Sequence, residues 1–132
     1  MSSEFKNSSD YRLFEYACSL LAAEKHLAAI HEFEVLRDQH PEEFRVVFML
    51  AGSFFEADRF EEAALHFRKA VIMRPTHELA SLLLFHSLWN DDLQQEAMEE
   101  MNRFLAVGQS ADYLSIKREI EEKKFKPRES AE

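Results

Sequence analysis

The chain has 132 residues, of which 46% are hydrophobic and 31% are charged, so it can bury the core of one domain and needs no second. Two glycines and three prolines supply few turns, which argues against a many-stranded sheet and favours a helical protein. The formal charge of −9 argues against general binding of nucleic acid, because phosphates require a basic surface.

The single cysteine, Cys18, cannot form an internal disulfide, so nothing requires an oxidising compartment. The N-terminal segment, MSSEFKNSSD, does not resemble a signal peptide. The strongest apolar run, residues 79–85, is too short to cross a bilayer. We therefore expect a cytoplasmic protein that does not bind membranes.

Along most of the chain apolar residues recur at intervals of three and four, which is the period of a helix and not of a strand. Residues that favour helix starts lie between these segments, and Gly108 follows one of them as a helix end; the starts are Asp10, Pro41, Asp58 with Glu61, Thr76, Asp91 or Asp92, and Ser110. The pattern predicts loose polar tails at 1–9 and 125–132 and seven helices between them, at about 10–23, 26–38, 42–56, 59–73, 76–90, 92–107 and 110–124.

The sequence also repeats itself. Residues 23–41 read AEKHLAAIHEFEVLRDQHP and residues 57–75 read ADRFEEAALHFRKAVIMRP, so that the two segments end on Pro41 and Pro75. A third copy keeps the same interval, and the aligned positions are Leu13, Val47 and Ser81; Tyr16, Leu50 and Leu84; Leu20, Phe54 and Leu88; Ala29, Ala63 and Ala97; and Phe33, Phe67 and Met101. We expect these positions to form the core.

A period of about 34 residues with two helices per unit resembles the tetratricopeptide repeat family. The resemblance runs from about Asp10 to Ser110, in repeats at about 10–43, 44–77 and 78–110, followed by a helix at 110–124 that resembles the family's capping helix. It implies an all-α fold, a right-handed α-solenoid of three antiparallel helix pairs with a seventh, capping helix over residues 10–124.

In that family the first helix of each pair lines the concave groove of the superhelix. The resemblance therefore places in the groove Tyr11, Phe14, Cys18 and Leu21; Arg45, Phe48, Gly52 and Phe55; and Leu79, Leu82, His86 and Trp89. From this lining we take nine candidate partner-binding residues: Tyr11, Phe14, Leu21, Arg45, Phe48, Phe55, Leu82, His86 and Trp89. The family's groove for acidic chaperone tails uses lysine, asparagine and arginine, whereas this chain has Phe14, Cys18, Met49, Leu79 and Leu83 at those positions, so that function is not expected.

No pattern indicates catalysis or a cofactor. The two glycines, Gly52 and Gly108, are too far apart to form a phosphate-binding loop, and His26 and His31 fall on different helix faces, unlike a helical zinc site. Carboxylates occur in pairs at Glu42 and Glu43, Glu61 and Glu62, Asp91 and Asp92, and Glu99 and Glu100, which we attribute to capping and solubility. We expect no enzyme, metal, cofactor or small-molecule substrate.

The predicted groove is more apolar than an isolated domain usually leaves in water. It could bind an apolar peptide or amphipathic helix of another protein, form the seam of a homodimer, or be filled by the chain's own tail or cap helix. We favour the first, an adaptor or chaperone-like module for protein binding. The alternatives are an assembly subunit that dimerises through the groove and an acidic inhibitor of a basic partner that acts through its convex face.

Overall fold

The computed structural model describes residues 2–125, and over that range the chain forms helices and no strand. The helices, numbered α1 to α8, are Ser2–Lys6, Asp10–Ala22, His26–Gln39, Phe44–Glu56, Phe60–Met73, Glu78–Asn90, Gln94–Val107 and Ala111–Phe125. The all-helical fold predicted from the sequence is confirmed, and α2 to α8 correspond to the seven predicted helices. Most of the predicted tail at 125–132 lies outside the described residues.

Short turns fold the helices into consecutive pairs. The pairs are α2 with α3, α4 with α5 and α6 with α7, and the second helix of each of the first two pairs also packs against the first helix of the next. The first helices contact one another from α2 to α4 and from α4 to α6. This stacking of neighbours produces a solenoid, in which each unit buries its apolar face against the next.

The alanines aligned in the three repeats belong to the core, as the repeat alignment predicted. Ala29, Ala63 and Ala97 are completely buried, as are the rings of Phe33 and Phe67. Small residues allow the helices of a pair to meet, and the rings pack within the pair, Phe33 against Phe14 at a centroid distance of 5.8 Å and Phe67 against Phe48 at 5.7 Å. The repeat alignment therefore describes the core correctly at these positions.

Each pair turns on a residue in the left-handed backbone region: Glu24, Asp58 and Asp92 have φ of 62°, 59° and 62°. They occupy the same position in successive repeats and end the first helix of each pair with the same two hydrogen bonds. In the second repeat these run from the Asp58 N–H to the Phe55 carbonyl at 3.0 Å and from the Arg59 N–H to the Phe54 carbonyl at 2.9 Å. A helix commonly ends this way, usually with glycine at the left-handed position.

The predicted helix start at Asp58 with Glu61 is therefore wrong, because Asp58 terminates α4 and does not begin α5. No side chain caps α5, whose preceding residue is Arg59. Asp10 does not cap α2 either; its carboxylate lies 2.8 Å from Nε2 of His40. In contrast, Ser110 caps the last helix as predicted, since its Oγ accepts the Tyr113 N–H at 3.0 Å.

Tyr16 was expected in the core, but it is 53% exposed, whereas its equivalents Leu50 and Leu84 are completely buried. The later residues lie on helices that pack against the second helix of the preceding pair. No pair precedes α2, so the same position faces solvent there. The repeat pattern identifies the position, but burial depends on having a neighbour on that side.

Candidate binding groove

Most of helix α4 is buried, apart from one side. Arg45, Phe48, Gly52 and Phe55 are partly exposed and are spaced by three or four residues, so they form one line along the helix, which we call the groove stripe. A Cβ atom built on Gly52 would have no atom within 4 Å, so the stripe faces open space at its middle. These are four of the positions that the sequence placed in the groove.

The stripe continues on α6, with one change. Leu79 is 50% exposed, His86 is exposed and Trp89 is partly exposed. Leu82, a predicted binding residue, is only 8% exposed, because it is turned toward the core. Its neighbour Leu83 is partly exposed and takes its place on the open face.

The first helix, α2, is partly covered by the chain itself. Tyr11 and Leu21 are partly exposed as expected of groove residues, but Phe14 is 7% exposed because the ring of Phe5 lies against it, with ring centroids 5.5 Å apart. Phe5 also lies 5.6 Å from the Tyr11 ring, and the Arg45 guanidinium is 5.2 Å from the Phe5 ring centroid. Residues 1–9 were predicted to be a loose tail, but α1 lies within them and the Phe5 ring is buried.

Phe5 supplies to the first repeat a ring that the second repeat carries on its own helix. In the second repeat Phe44 stacks 5.5 Å from Phe48, the equivalent of Phe14, and the Arg74 guanidinium lies 4.2 Å from the Phe44 centroid. In the first repeat the residue aligned with Phe44 is Asp10, and the residue aligned with Arg74 is His40, whose ring is 4.9 Å from Phe5. Phe5 therefore completes the first repeat.

The rings of Phe48 and Phe55, at the centre of the groove, pack against other aromatic rings of the protein. Phe48 contacts the ring of buried Phe67 at a centroid distance of 5.7 Å and that of His77 at 5.5 Å. Phe55 contacts Phe60 at 5.5 Å. The Phe48 ring therefore has one side in the core and another toward solvent.

The far end of the groove is closed by α8, which a buried polar network holds against α6. The Tyr113 hydroxyl donates to the Ser81 carbonyl oxygen at 2.9 Å and lies 2.8 Å from Ser81 Oγ, which in turn donates to Glu100 Oε2 at 2.6 Å. Arg103 donates to both oxygens of Glu100, from Nε at 2.9 Å and from Nη2 at 2.7 Å.

Every member of this network has a partner, as buried polar groups require. Burial raises the pKa of the Tyr113 phenol, which keeps the hydroxyl proton available for donation. The sequence analysis missed the network because Glu99 and Glu100 were interpreted as a solvated pair, whereas Glu100 is buried. The available signal was Ser81, a polar residue aligned with Leu13 and Val47 at a core position.

Beside this network lies a cleft of about 360 Å³ between α6 and α8. Its lining residues are Phe85, His86, Trp89, Ile116, Glu119, Ile120 and Lys123. Part of the His86 side chain is exposed, but the desolvation of the remainder lowers its pKa, and the nearby carboxylate of Asp112 opposes this only in part. The ring is therefore neutral at physiological pH and can both donate and accept a hydrogen bond.

The groove also contains a thiol group. Its thiol, Cys18, has a pKa raised first by burial and then by the Glu15 carboxylate, so it is not activated as a nucleophile. Among residues 2–125, no three His, Cys, Asp or Glu side chains are grouped closely enough to hold a metal ion. Over the same range no helix has both the length and the apolar character needed to cross a bilayer.

Comparison with known proteins gives similarities in sequence and in structure. Residues 15–78 match the sequence profile of the tetratricopeptide repeat family. Among solved structures, MamA of AMB-1 superimposes with a TM-score of 0.67 at 20% sequence identity, over 79% of this chain and 57% of that one. At this identity the likeness concerns the fold alone, and the chain spans little more than half of that protein. None of the curated proteins matches the sequence.

Proposed function

We propose that the chain is a tetratricopeptide repeat protein and that, like the protein-interaction scaffolds of that family, it is an adaptor or chaperone-like module that binds an apolar peptide or amphipathic helix of another protein. The match of residues 15–78 to the family and the similarity of the fold to MamA support this. The observation that carries this proposal is the groove stripe. The remaining faces of α4 and α6 are largely buried, yet one line of apolar and aromatic residues on each helix stays open to solvent.

The shape of the stripe suits an extended or helical segment better than a small molecule. It runs across two adjacent helices, from Arg45 and Phe48 on α4 to Leu79 and Trp89 on α6. The aromatic rings are held by core contacts and lose little conformational entropy when a partner binds, which favours affinity. Large rigid rings beside a central open position are typical of the residues that carry most of a binding energy.

The chain itself borders the groove at both ends, whereas the centre of the groove is open. Phe5 covers Phe14 at one end, and at the other α8 stands beside Trp89 and leaves a cleft between α6 and α8. Gly52 and Leu79 remain open between them. We therefore place the contact with the partner on the second and third repeats.

Leu79→Glu provides the test. The side chain is 50% exposed, so a charge there should leave the fold intact while opposing an apolar partner. Ile72→Glu is the matched control, because Ile72 is 74% exposed on α5, a second helix of a pair. In affinity isolation from a lysate of the source organism, the Leu79 variant should lose a partner that the parent and the Ile72 variant retain.

The same variants separate the alternatives. If native mass shows that the parent is a dimer and Leu79→Glu is a monomer, the groove is a homodimer seam. If Ile72→Glu loses the partner and Leu79→Glu keeps it, the convex face binds, as expected of an acidic inhibitor. Circular dichroism of both variants must match the parent, since an unfolded variant would lose any partner.

A further inference from the structure

We propose that the cleft between α6 and α8 is an anchor pocket that receives an aromatic side chain of the bound polypeptide. This inference rests on the proposed function and adds to it the chemistry of the partner residue that enters the pocket. His86 and Trp89 belong both to the open face of α6 and to the cleft lining. A segment lying along the groove therefore reaches the cleft without leaving the groove surface.

The walls of the cleft are apolar. Phe85 and Trp89 stack with centroids 5.5 Å apart and planes 19° apart, and Phe85 is almost completely buried beneath. Ile116 and Ile120 are one helical turn apart on α8 and form the opposite wall. A ring that enters between an indole and two branched side chains gains apolar contact on both faces.

The size and polarity of the cleft fit a single side chain of a larger ligand. Its volume of about 360 Å³ lies at the lower end of the range for small-molecule sites, which are lined mostly by apolar groups with a few polar ones. Three polar side chains are present here, His86, Glu119 and Lys123. They can bind the backbone of the segment that carries the inserted ring.

The cleft is preorganised because α8 is anchored independently of it. Ser110 caps the helix, and Tyr113 is buried between Phe85 and Phe104, with both centroid distances at 5.7 Å. Helix α8 therefore does not need to be repositioned for binding, which lowers the entropic cost. The chain's own residues 126–132, KPRESAE, contain no aromatic and no large aliphatic side chain, so they are poor candidates to fill it.

The experiment uses Trp89, the single tryptophan of the chain, as the reporter. The full chain is titrated with N-acetyl-L-phenylalaninamide while tryptophan fluorescence is recorded, and N-acetyl-L-alaninamide is the control. We expect a saturable change with a dissociation constant of about 1–10 mM for the phenylalanine compound, given the affinity available to so small a ligand. The alanine compound should give no saturable change.

Ile120→Phe should fill the cleft and weaken the response at least about tenfold, which is ~1.4 kcal/mol. Leu114→Phe is the matched control, since Leu114 is on the same helix, is 53% exposed and lines a different cleft. That variant should respond as the parent does. If Ile120→Phe is not folded by circular dichroism, Ile116→Phe replaces it.

Several results would contradict the proposal that the cleft is an anchor pocket. They are the absence of a saturable response, an equal response to the alanine compound, or an undiminished response in a folded cleft-filling variant. A response that appears only when the chain is cut after residue 125 would show that its own tail occupies the cleft. A response that appears only on dilution to a monomer would assign the cleft to a second copy.

The outcomes for the groove and for the pocket are separable. If Leu79→Glu loses the partner but Trp89 does not respond to the phenylalanine compound, the groove stands and the pocket fails. If Trp89 responds as expected but Leu79→Glu still captures the partner, the pocket is real and the proposed groove function fails. When both hold, Ile120→Phe should also weaken capture of the partner by at least about tenfold.

Discussion

Removing the hydroxyl of Tyr113 should loosen the cap helix while leaving its packing intact. In the folded protein this hydroxyl donates to the Ser81 carbonyl oxygen and lies beside Ser81 Oγ, which is bonded to the carboxylate of Glu100. A neutral hydrogen bond contributes about 0.5–1.5 kcal/mol and one that involves a charged group about 1.5–3 kcal/mol. Because Tyr113 touches the charge only through Ser81, we expect Tyr113→Phe to cost about 1–2 kcal/mol.

Tyr113→Ala adds the loss of a completely buried ring that packs between Phe85 and Phe104. Truncation of a buried aromatic costs about 3–5 kcal/mol, so the alanine variant should be the less stable by several kcal/mol. Urea unfolding followed by circular dichroism gives both free energies, and for a domain of this size each kcal/mol corresponds to roughly 3–6 °C in Tm.

A double-mutant cycle with Glu100→Gln tests whether the hydroxyl and the carboxylate act through one network. We expect a coupling energy of at least about 0.5 kcal/mol, as for residues that share hydrogen-bond partners. If Tyr113→Phe were as stable as the parent and additive with Glu100→Gln, the network would not hold α8, and packing alone would account for its position.

Three further predictions concern the repeats themselves. Ala63→Leu should destabilise by about 1–3 kcal/mol in urea unfolding, because Ala63 is completely buried at a close helix contact; an unchanged midpoint would contradict that packing. Glu24→Gly should increase the free energy of unfolding by up to about 1 kcal/mol and so raise Tm, because glycine adopts the positive φ of Glu24 without strain. A lowered Tm would show that the turn is not strained. Burial, followed by the charge of Arg37, lowers the pKa of His66, while the hydrogen bond from His66 to the Glu62 carbonyl opposes this. As the pH falls, the unfolded chain therefore binds a proton at this histidine before the folded chain does. The contribution of His66 to stability is complete above about pH 6.5 and decreases below it. His66→Phe keeps a buried ring and should show a smaller loss of urea midpoint between about pH 7.5 and 5.5, whereas an equal loss would assign the pH dependence to other groups.

The repeat was predictable because helix pairs stack by local rules. The constant interval between copies identified the buried Ala29, Ala63 and Ala97 and the rings of Phe33 and Phe67, since these contacts recur with the same spacing in each unit. The resemblance to the repeat family implied that Arg45, Phe48 and Phe55 line the groove, and these residues lie on one partly exposed line of α4. Contacts that occur in every repeat could therefore be predicted from the sequence.

The exceptions lie where a repeat lacks a neighbour. Phe5 stands alone in a polar segment, so no periodicity indicated that it would be buried against Tyr11, Phe14 and the more distant His40. Tyr16 has a core pattern, but in the described residues no helix pair packs against that side of α2. At the other end, Ser81 looked like an imperfect match to the core pattern, but its hydroxyl is required by Tyr113 and Glu100 on two later helices.

The different closures at the two ends determine where the protein could be lengthened by engineering. The C-terminal closure uses side chains of α6, α7 and α8, and Arg103 Nη1 also donates to the Pro75 carbonyl oxygen at 3.0 Å. The last repeat and the cap therefore form one unit that must be kept whole, just as Phe5 must stay with the first repeat. A duplicate of residues 44–77 inserted after residue 77 would preserve both closures. Its boundary with α6 is already present, and at its other boundary α5 would take the place that α3 has against α4. Such an insertion would extend the aromatic face by one unit and so provide a graded series of grooves of different length.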